Sequence, residues 1–362
     1  MKILFVQDCL RSGGTERQTV LLANAFAAAG HATTLLTFRP GGRLARTVSP
    51  QVARRTLQPF DTHLDWFAPG LLRAAGAIAP DIILCMGRMA NGYAGRLQHR
   101  FPAAAVVGTM RTGKSLPAVY QRSLRAVSHI VANSHDARDT LVTRYGLAPE
   151  KIAVIHNALV FPPESALWRN EPLRVRYGAT AATRVLLNVG MFRPEKNQRE
   201  LIEVAAGLPA QLDWQLWLAG DGPTRPACER LVAEKKLGSR VKFLGFHQDP
   251  TPLYCAADLA VHASVSEALS NFLIEAQAHG LLAVASEAQG IRECFRSGRT
   301  GWAIPQGDRA AFRDTLTRRL SEPALAHAER SADARRFARE AFDPQTQVAA
   351  YLNLFKSLLR HP

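Results

Sequence analysis

The chain has 362 residues, of which 47% are hydrophobic and 21% are charged. This composition excludes a disordered chain, a collagen-like fibre and a small disulfide-rich scaffold, and the length is sufficient for two domains. No apolar run approaches the ~18 residues that a membrane-spanning helix requires. The opening sequence MKILFVQD turns polar too early for a secretory signal and predicts a buried first strand.

The chain carries a net charge of +15, with 45 basic and 30 acidic side chains. Residues 1–170 hold 20 of the basic and 9 of the acidic ones. A basic first half predicts an anionic partner such as a phospholipid surface or a lipid-linked phosphate, and a solvated arginine-rich surface explains it equally well. No nucleic-acid-binding module accompanies the charge, so we expect no nucleic-acid partner.

The cysteines show no spacing typical of a zinc site or a redox motif, and we expect reduced thiols packed as small hydrophobic groups. They are Cys9, Cys85, Cys228, Cys255 and Cys294.

Short apolar runs alternate with amphipathic stretches in the first half of the chain. The predicted strands are KILFVQ (2–7), HATTLLTF (31–38), IILCMG (82–87), AVVGTM (105–110), HIVANS (129–134) and IAVIHN (152–157). Short continuous apolar strands separated by helices predict a parallel sheet covered on both faces.

Residues 158–180 break this rhythm and are interpreted as a linker. The pattern restarts with RVLLNVG (184–190), WQLWLAG (214–220), RVKFLG (240–245), LAVHAS (259–264), LLAVAS (281–286) and GWAIP (301–305). We therefore expect two doubly wound, Rossmann-like α/β domains, over 1–165 and 172–343, that face each other across a cleft. A last helix is predicted over 344–362.

Ligands of open parallel sheets bind beyond the carboxyl ends of the strands, beside helix N-termini. In SGGTERQ (12–18), Gly13 and Gly14 permit close approach of a ligand, and Thr15 is expected to cap the next helix. In NVGMFRPEKNQ (188–198), Arg193 and Lys196 suit a diphosphate. Taken alone, each of these loops is more often an ordinary exposed turn.

Two further strand exits, LAGDGP (218–223) and VKFLGFHQD (241–249), suit the floor and wall of a nucleotide-base site or an ordinary tight turn. SEALSNFLIEAQAHG (266–280) is more informative. Either Ser270 or Asn271 is expected to cap its helix, so that the capped end faces a phosphate. Glu275 is placed to bind a ribose diol, and Glu267 to bind sugar hydroxyls.

With these motifs in this order, the sequence resembles the retaining GT-B glycosyltransferases of the "glycosyl transferases group 1" family, of the family 4 type. The resemblance covers nearly the whole chain. It rests on GGTERQ, VANSHDARDTL and KIAVIHN before the linker, and on NVGMFRPEKN, LAGDGP, VKFLG, the Glu267–Glu275 pair and GIRECFRSGRTGWAIPQGD after it.

The resemblance implies a nucleotide-sugar donor held mainly by the second domain, with Glu267, Arg193 and Lys196 as catalytic residues. The implied donor contacts are Gly13, Gly14, Gly190, Gly220, Asp221, Phe243, Leu244, Leu269, Ser270, Asn271, Phe272 and Glu275. The acceptor-side candidates are Thr15, Glu16, Arg17, Arg111 and Lys114. The last helix would pack back on the first domain.

Three positions depart from the family pattern. Arg111 stands where many members carry a histidine, Ala268 stands where glycine is usual, and Asn157-Ala158 replaces a common Asn-Gly. These departures concern the role of the family's histidine and the contacts to the donor sugar, and they leave the residues implied for the diphosphate and ribose contacts in place.

We thus predict a retaining glycosyltransferase that moves a hexose or N-acetylhexosamine from a nucleotide-diphosphate sugar, UDP in preference to GDP. The acceptor would be an anionic glycan or lipid-linked molecule in bacterial surface polysaccharide or lipopolysaccharide biosynthesis. No metal or other cofactor is expected, because the sequence has no Asp-x-Asp and supplies fixed cations. We expect a cytoplasmic protein, peripheral on the inner face of the cytoplasmic membrane.

Two alternatives remain at this stage. One is a catalytically degenerate GT-B scaffold that only binds nucleotide, and the other is a GT-B hydrolase or epimerase that acts on a nucleotide sugar.

Overall fold

The computed structural model describes residues 1–163, 165 and 167–360. The chain divides into two compact units, one formed by Met1–Ala158 with the segment that begins at Pro344, the other by Leu159–Asp343. The sequence had placed the boundary between 165 and 172. Residues 164 and 166 of the expected linker, and 361–362 of the expected last helix, lie outside the described residues.

Each unit contains one parallel sheet. The strands are β1 (Lys2–Gln7), β2 (Ala32–Thr37), β3 (Ala53–Thr56), β4 (Ile82–Cys85), β5 (Ala105–Met110), β6 (His129–Ala132), β7 (Ile152–Val154), β8 (Arg184–Val189), β9 (Trp214–Ala219), β10 (Val241–Gly245), β11 (Leu259–His262), β12 (Leu282–Ser286) and β13 (Gly301–Ile304). The first sheet has the order β3-β2-β1-β4-β5-β6-β7 and the second β10-β9-β8-β11-β12-β13. In each sheet, the next two strands in the chain lie on one side of the strand that begins the unit, and the later strands lie on its other side. This is the doubly wound arrangement that the sequence predicts.

Helices lie in most of the connections between the parallel strands, whereas the β2–β3 and β12–β13 connections contain only short 3₁₀ segments. The helices are α1 (Gly14–Ala28), α2 (Leu71–Ile78), α3 (Arg88–Arg100), α4 (Ala118–Ala126), α5 (His135–Thr143), α6 (Glu171–Arg176), α7 (Gln198–Ala206), α8 (Arg225–Glu234), α9 (Thr251–Ala256), α10 (Asn271–Ala278), α11 (Arg309–Leu320), α12 (Ala324–Phe342) and α13 (Pro344–Arg360). No helix in the described part of the chain combines the length and the apolar character needed to span a membrane.

The continuous apolar character of the strands follows from burial on both faces of each sheet. In β1, Leu4 and Val6 belong to one buried cluster, whereas Ile3 and Phe5 belong to the cluster on the opposite face. Because side chains alternate along a strand, a strand covered on both sides must be apolar at every position. The twelve runs interpreted as strands in the sequence all form strands.

The strand β3 was missed. Its sequence, Ala53–Thr56, reads ARRT, and all four residues are exposed. It pairs in parallel with β2 at the edge of the first sheet, with Thr34 opposite Ala53 and Thr37 opposite Thr56. An edge strand that buries no side chain carries no apolar pattern, and its arginines are typical of the charged residues that protect sheet edges.

The last helix, α13, belongs to the first unit. Tyr351 and Phe355 from the predicted apolar stripe are fully buried, and their rings lie 6.2 Å and 5.7 Å from the ring of Phe26 on α1. Aromatic rings at these separations and steep angles make favourable edge-to-face contacts. The helix therefore completes the hydrophobic cover on one face of the first sheet.

A buried ion pair organises the start of the second sheet. Arg174 on α6 is fully buried, and its guanidinium donates to Asp258 Oδ2 at 3.1 Å and to the carbonyls of Ala256 and Thr180 at 2.8 and 2.9 Å. The same carboxylate oxygen accepts from the backbone N–H of Val185 at 2.8 Å. Arg174 thus joins α6 to the beginnings of both β8 and β11.

This pair provides a test of the fold. Replacing Arg174 by methionine leaves several buried acceptors without their donor, so we expect a loss of about 3–5 kcal/mol in the free energy of unfolding, measured by urea denaturation. The exposed Arg176→Met on the same helix should change it by less than about 0.5 kcal/mol. Equal effects of the two substitutions would show that the buried pair does not stabilise the unit.

Candidate active site

The switch point of the second sheet lies between β8 and β11. The strands that follow β8 in the chain, β9 and β10, lie on one side of it, and the strands from β11 onward lie on the other side. Crevices at such points, beyond the carboxyl ends of the strands, are the usual ligand sites of doubly wound folds. The predicted residues Lys196 and Glu267 follow these two strands. The structure brings them together there.

Lys196 and Glu267 form an ion pair between Nζ and Oε1. Lys196 ends a short 3₁₀ helix, Pro194–Lys196, that follows β8. Glu267 Oε1 also lies 3.0 Å from Nε2 of His262, the last residue of β11. The loop is tied further to the 3₁₀ segment, because the hydroxyl of Ser264 donates to the carbonyl of Glu195 at 2.9 Å.

The electrostatics of this cluster define its protonation. Burial alone would raise the pKa of Glu267, but Lys196 and the hydrogen bond from His262 outweigh it and lower the pKa to about 2. Burial lowers the pKa of His262, so the imidazole is neutral at pH 7. Since a carboxylate only accepts hydrogen bonds, Nε2 of His262 carries the proton. The site therefore holds an ionised carboxylate with one oxygen fixed.

Helix α10 begins directly beside this carboxylate. Ser270 is its N-cap, and the hydroxyl accepts from the backbone N–H of Leu273 at 3.4 Å, which resolves the choice between Ser270 and Asn271. Gly290 packs closely against this loop. Its φ is +71°, and a Cβ at this position would collide with the carbonyl of Ala268. The positive end of the α10 dipole thus lies in the same loop as Glu267.

Glu275 lies within α10 and has a defined orientation. Its Oε2 accepts a hydrogen bond of 2.7 Å from the hydroxyl of Tyr254 on α9, and the imidazole of His279 stacks on the Tyr254 ring at 4.7 Å. Tyr254 is almost fully buried. A buried tyrosine that donates to one carboxylate oxygen restricts the rotamers of the glutamate. Glu275 is therefore held in place.

Three glycines bring the ends of neighbouring strands close together. Gly220 has φ of +136°, and a Cβ there would collide with the carbonyl of Gly190. Its N–H donates to the carbonyl of Gly245 at 2.7 Å. Only glycine permits both this backbone angle and this contact. At the ends of β8, β9 and β10, the edge of the sheet is consequently formed by backbone rather than by side chains.

The other donor-binding candidates of the second unit fall into two groups. Phe243 is half-buried with the guanidinium of Arg225 5.7 Å above its ring, Leu244 is also partly buried, and Asp221 is exposed. The side chains of Leu269 and Phe272 instead pack in the hydrophobic core. Their predicted contacts with the donor would have to come from the backbone.

Arg193 is separated from its predicted partner Lys196. Its side chain lines a cavity between α7 and α8, and Lys196 does not line that cavity. Within the residues that the structure describes, the guanidinium of Arg193 has no hydrogen-bond or ion-pair partner. The structure therefore places the two cations of this loop in different surroundings.

The predicted cap of α1 was wrong. The N-cap is Gly13, with extended backbone angles and no capping side chain, and Thr15 lies inside the first turn, where its carbonyl accepts from the hydroxyl of Thr19. The helix starts earlier than expected because Gly14 already has helical geometry. The Glu16 carboxylate lies so close to Gly13 that a Cβ there would collide with it. Arg17 is half-buried in the same turn.

Arg111 follows β5 in the first unit and is held by two neighbours. Its guanidinium donates to the hydroxyl of Tyr351 on α13 at 2.7 Å and to the side-chain oxygen of Asn157. Lys114, three residues later, is exposed. Arg111 thus links α13 to the end of the first sheet, a structural role that the sequence did not predict.

Sequence reasoning missed three polar residues at the sheet edges. His262 ends an apolar strand and Tyr254 lies on a short buried helix, so neither had a polar pattern around it. Asp8 follows β1, and its carboxylate accepts from the backbone N–H groups of Ala90 and Met89 at 2.8 and 3.2 Å. Burial raises the pKa of Asp8 to about 6. A polar residue directly after an apolar strand was the available signal for Asp8.

Comparisons with known proteins find relatives for both units of the chain. Residues 183–322 match the family described as "Glycosyl transferases group 1", and residues 12–159 match "Glycosyltransferase Family 4". The chain is 28% identical over 188 residues to N-acetyl-alpha-D-glucosaminyl L-malate synthase of Bacillus anthracis, covering 52% of this chain and 49% of that protein. It is 30% identical over 188 residues to the lipopolysaccharide core biosynthesis glycosyltransferase LpsE of Rhizobium meliloti, covering 51% and 53%. The chain spans about half the length of the curated relatives it matches.

Solved structures share the fold over the whole chain. Anabaena Alr3699/HepE in complex with UDP-glucose superimposes with a TM-score of 0.82 at 22% identity, covering 99% of this chain and 100% of that one. Sucrose-phosphate synthase from Thermosynechococcus elongatus gives 0.83 at 19% identity, with both chains covered fully. The two family matches occupy the two units in order. The chain therefore belongs to the group 1, family 4-like glycosyltransferases.

Proposed function

We propose that the protein is a retaining, metal-independent glycosyltransferase that moves a hexose or N-acetylhexosamine from a UDP-sugar to a glycan or lipid-linked acceptor. The observation that carries the proposal is the ionised Glu267, held by Lys196 and His262 beside the start of α10. Relatives named for lipopolysaccharide core biosynthesis and a neighbour bound to UDP-glucose support the substrate classes. The pathway would be that of a bacterial surface polysaccharide.

Glu275 is the proposed ribose ligand. Tyr254 occupies one carboxylate oxygen, so the glutamate presents a fixed acceptor to a pair of sugar hydroxyls. The backbone at Gly190, Gly220 and Gly245 would form the floor beneath the nucleotide, and Phe243 and Leu244 would border the base.

Lys196 and the N-terminus of α10 are the proposed stabilisers of the leaving diphosphate. Negative charge develops on this group as the glycosidic bond breaks, and a fixed ammonium together with a helix dipole stabilises it without reorganisation. This arrangement would supply positive charge without a metal. The chain also lacks an Asp-x-Asp sequence.

Glu267 is proposed to position the donor sugar rather than to attack it. One of its oxygens accepts hydrogen bonds from Lys196 and from His262, which lowers the nucleophilicity of the carboxylate. The other oxygen would accept hydrogen bonds from sugar hydroxyls. Attack of the acceptor from the face of the departing diphosphate, through an oxocarbenium-like transition state, would then give retention.

Nucleotide binding tests the proposal directly. UDP should raise the melting temperature of the protein more than GDP, ADP or CMP do, because a ligand that binds only the native state stabilises it according to its affinity. Glu275→Gln should weaken the affinity for UDP at least about tenfold, since a charged hydrogen bond to the ribose is lost, and UDP should raise the melting temperature of this variant correspondingly less. Thermal shift and calorimetric titration measure both effects.

Two variants complete this experiment. Glu329→Gln, an exposed glutamate on α12, should behave as wild type. Glu267→Gln should not weaken the affinity for UDP, because it frees Lys196, but it should remove any additional affinity for the UDP-sugar. Absence of stabilisation by every nucleotide would contradict the enzymatic proposal, whereas rapid release of free sugar without acceptor would favour a hydrolase.

The pairing of Lys196 predicts a pH effect on stability. In the folded wild type the pKa of Glu267 is about 2, below its ordinary value of about 4.3, so the pair stabilises the fold fully above pH ~5 and loses this contribution as the pH falls towards 2. Lys196→Met should raise the pKa of the buried Glu267. The stability difference between wild type and variant should be largest at neutral pH and should shrink near pH 4, as measured by urea unfolding. The exposed Lys235→Met is the control, and a difference that grew at acid pH would contradict the assignment.

We also propose that the first unit contacts an anionic membrane surface. Phe60 and Trp66 project from the loop before α2 with 69% and 58% of their surface exposed. Ion pairs hold this loop in place, because Arg39 donates to Asp61 at 2.7 Å and also pairs with Asp65. Exposed aromatic side chains in a strongly basic half of the chain suit the interface of an anionic bilayer.

Vesicle co-sedimentation checks this contact. The protein should bind vesicles containing phosphatidylglycerol at low salt, and binding should weaken as salt screens the charges. Trp66→Ser should weaken binding severalfold. Trp168→Ser in the second unit, with the same exposed fraction of 58%, should not. Equal effects of both substitutions, or no binding at low salt, would remove the proposal.

A further inference from the structure

The second unit contains a cavity that the proposed donor site does not use. It has a volume of about 410 Å³, lies between α7 and α8, and is large enough for a small metabolite. Lys196, Glu267, Ser270 and Glu275 do not line it. It therefore lies beside the switch-point site, on the side of the crossover from β8 to β9.

The cavity is strongly basic. Arg193, Arg199 and Arg230 line it, against the single carboxylate of Glu234. Arg199 pairs with Glu203 at 3.0 Å, whereas Arg193 and Arg230 have no side-chain partner among the described residues. The three arginines are exposed at the edge of the cavity, and an anion between them would be attracted by all three.

Both helix N-termini at the cavity add positive potential. Asn197 and Thr224 are the N-caps of α7 and α8, both line the cavity, and neither caps its helix with a side-chain hydrogen bond. At α7 this leaves N–H groups for an anion, whereas at α8 the N–H of Arg225 donates to the carbonyl of Gly222 and Pro226 has none, so that only the N–H of Ala227 remains. Gln198 adds a separate observation. It is 2% exposed, it lines the cavity, and its Oε1 has no hydrogen-bond partner within the described residues.

We propose that this cavity binds a small phosphate monoester that carries hydroxyl groups, of the sugar-phosphate class, at a site separate from the nucleotide site. Two unpaired arginines and two helix N-termini suit a doubly charged phosphate. Glu234 and the amide oxygen of Gln198 are acceptors, and they suit the hydroxyl groups of the same ligand. An unsubstituted phosphate would offer these acceptors fewer hydroxyl donors than a sugar phosphate does.

The site would share one segment of chain with the proposed donor site. Arg193 and Asn197 line the cavity, and Lys196 lies between them in sequence. The two sites nevertheless use different side chains, so both ligands should bind at once.

Calorimetric titration of the full-length protein with glucose 6-phosphate tests the inference, with inorganic phosphate and glucose as comparison ligands. We expect binding of glucose 6-phosphate, weaker binding of phosphate and none of glucose. Arg230→Gln should weaken glucose 6-phosphate binding at least about tenfold, because a charge-assisted hydrogen bond is lost. Arg176→Gln, which removes an exposed arginine of the same unit, should leave the affinity unchanged.

Repeating the titration with the protein saturated by UDP separates this site from the nucleotide site. Retained binding that remains sensitive to Arg230→Gln supports the inference. Binding abolished by UDP, equal affinities of the two arginine variants, or no binding at millimolar glucose 6-phosphate would each overturn it. Circular dichroism and the melting temperature of Arg230→Gln establish that the variant is folded. Failure of UDP to bind would contradict the proposed function but would leave the titration without UDP fully interpretable.

Discussion

The burial of one ionised carboxylate is the constraint on which the candidate site depends. Glu267 is charged at neutral pH in a place where burial alone would favour its neutral form, and only Lys196 and His262 reverse that preference. These partners come from the loop after β8 and from the end of β11. The two strands that flank the switch point are therefore linked by a charge that neither loop could keep by itself. In such a site the charges are in place before any ligand binds, so that a charge developing on the ligand can be stabilised with little reorganisation energy.

The fold was largely predictable because two-sided burial leaves a strong pattern in the sequence. Strands such as β1 and β12 are apolar at nearly every position, since both of their faces pack against helices. The same reasoning explains the failure at Ala53–Thr56. That strand is held by backbone hydrogen bonds to β2 at the sheet edge, and backbone pairing has no side-chain signature.

The sequence predicted where the candidate residues lie but not which partners they have. Glu267 and Lys196 were singled out because polar residues after parallel strands collect at one edge, and Glu275 because it lies one turn inside the helix that follows Glu267. The ion pair between Lys196 and Glu267 joins residues 71 positions apart, and no local pattern encodes which of two nearby cations turns towards the carboxylate. His262 and Tyr254 were hidden for a different reason. Each lies in an apolar element, where a buried polar group is visible only through the hydrogen bond that satisfies it.

The separation of Arg193 from Lys196 bears on how this loop works. Lys196 is immobilised by Glu267, whereas Arg193 reaches into a basic cavity and keeps an unpaired guanidinium within the described residues. A cation already paired with a carboxylate attracts a diphosphate less strongly than a free one, since part of its field is neutralised. Under the proposed function, the donor diphosphate would then draw mainly on the α10 dipole and on the part of the Lys196 field that Glu267 leaves unneutralised. Because Lys196 would contact both groups, it would couple the charge on the leaving group to the position of the glutamate that is proposed to contact the sugar. The ion pair is consequently better understood as a poised element of the site than as a simple structural brace.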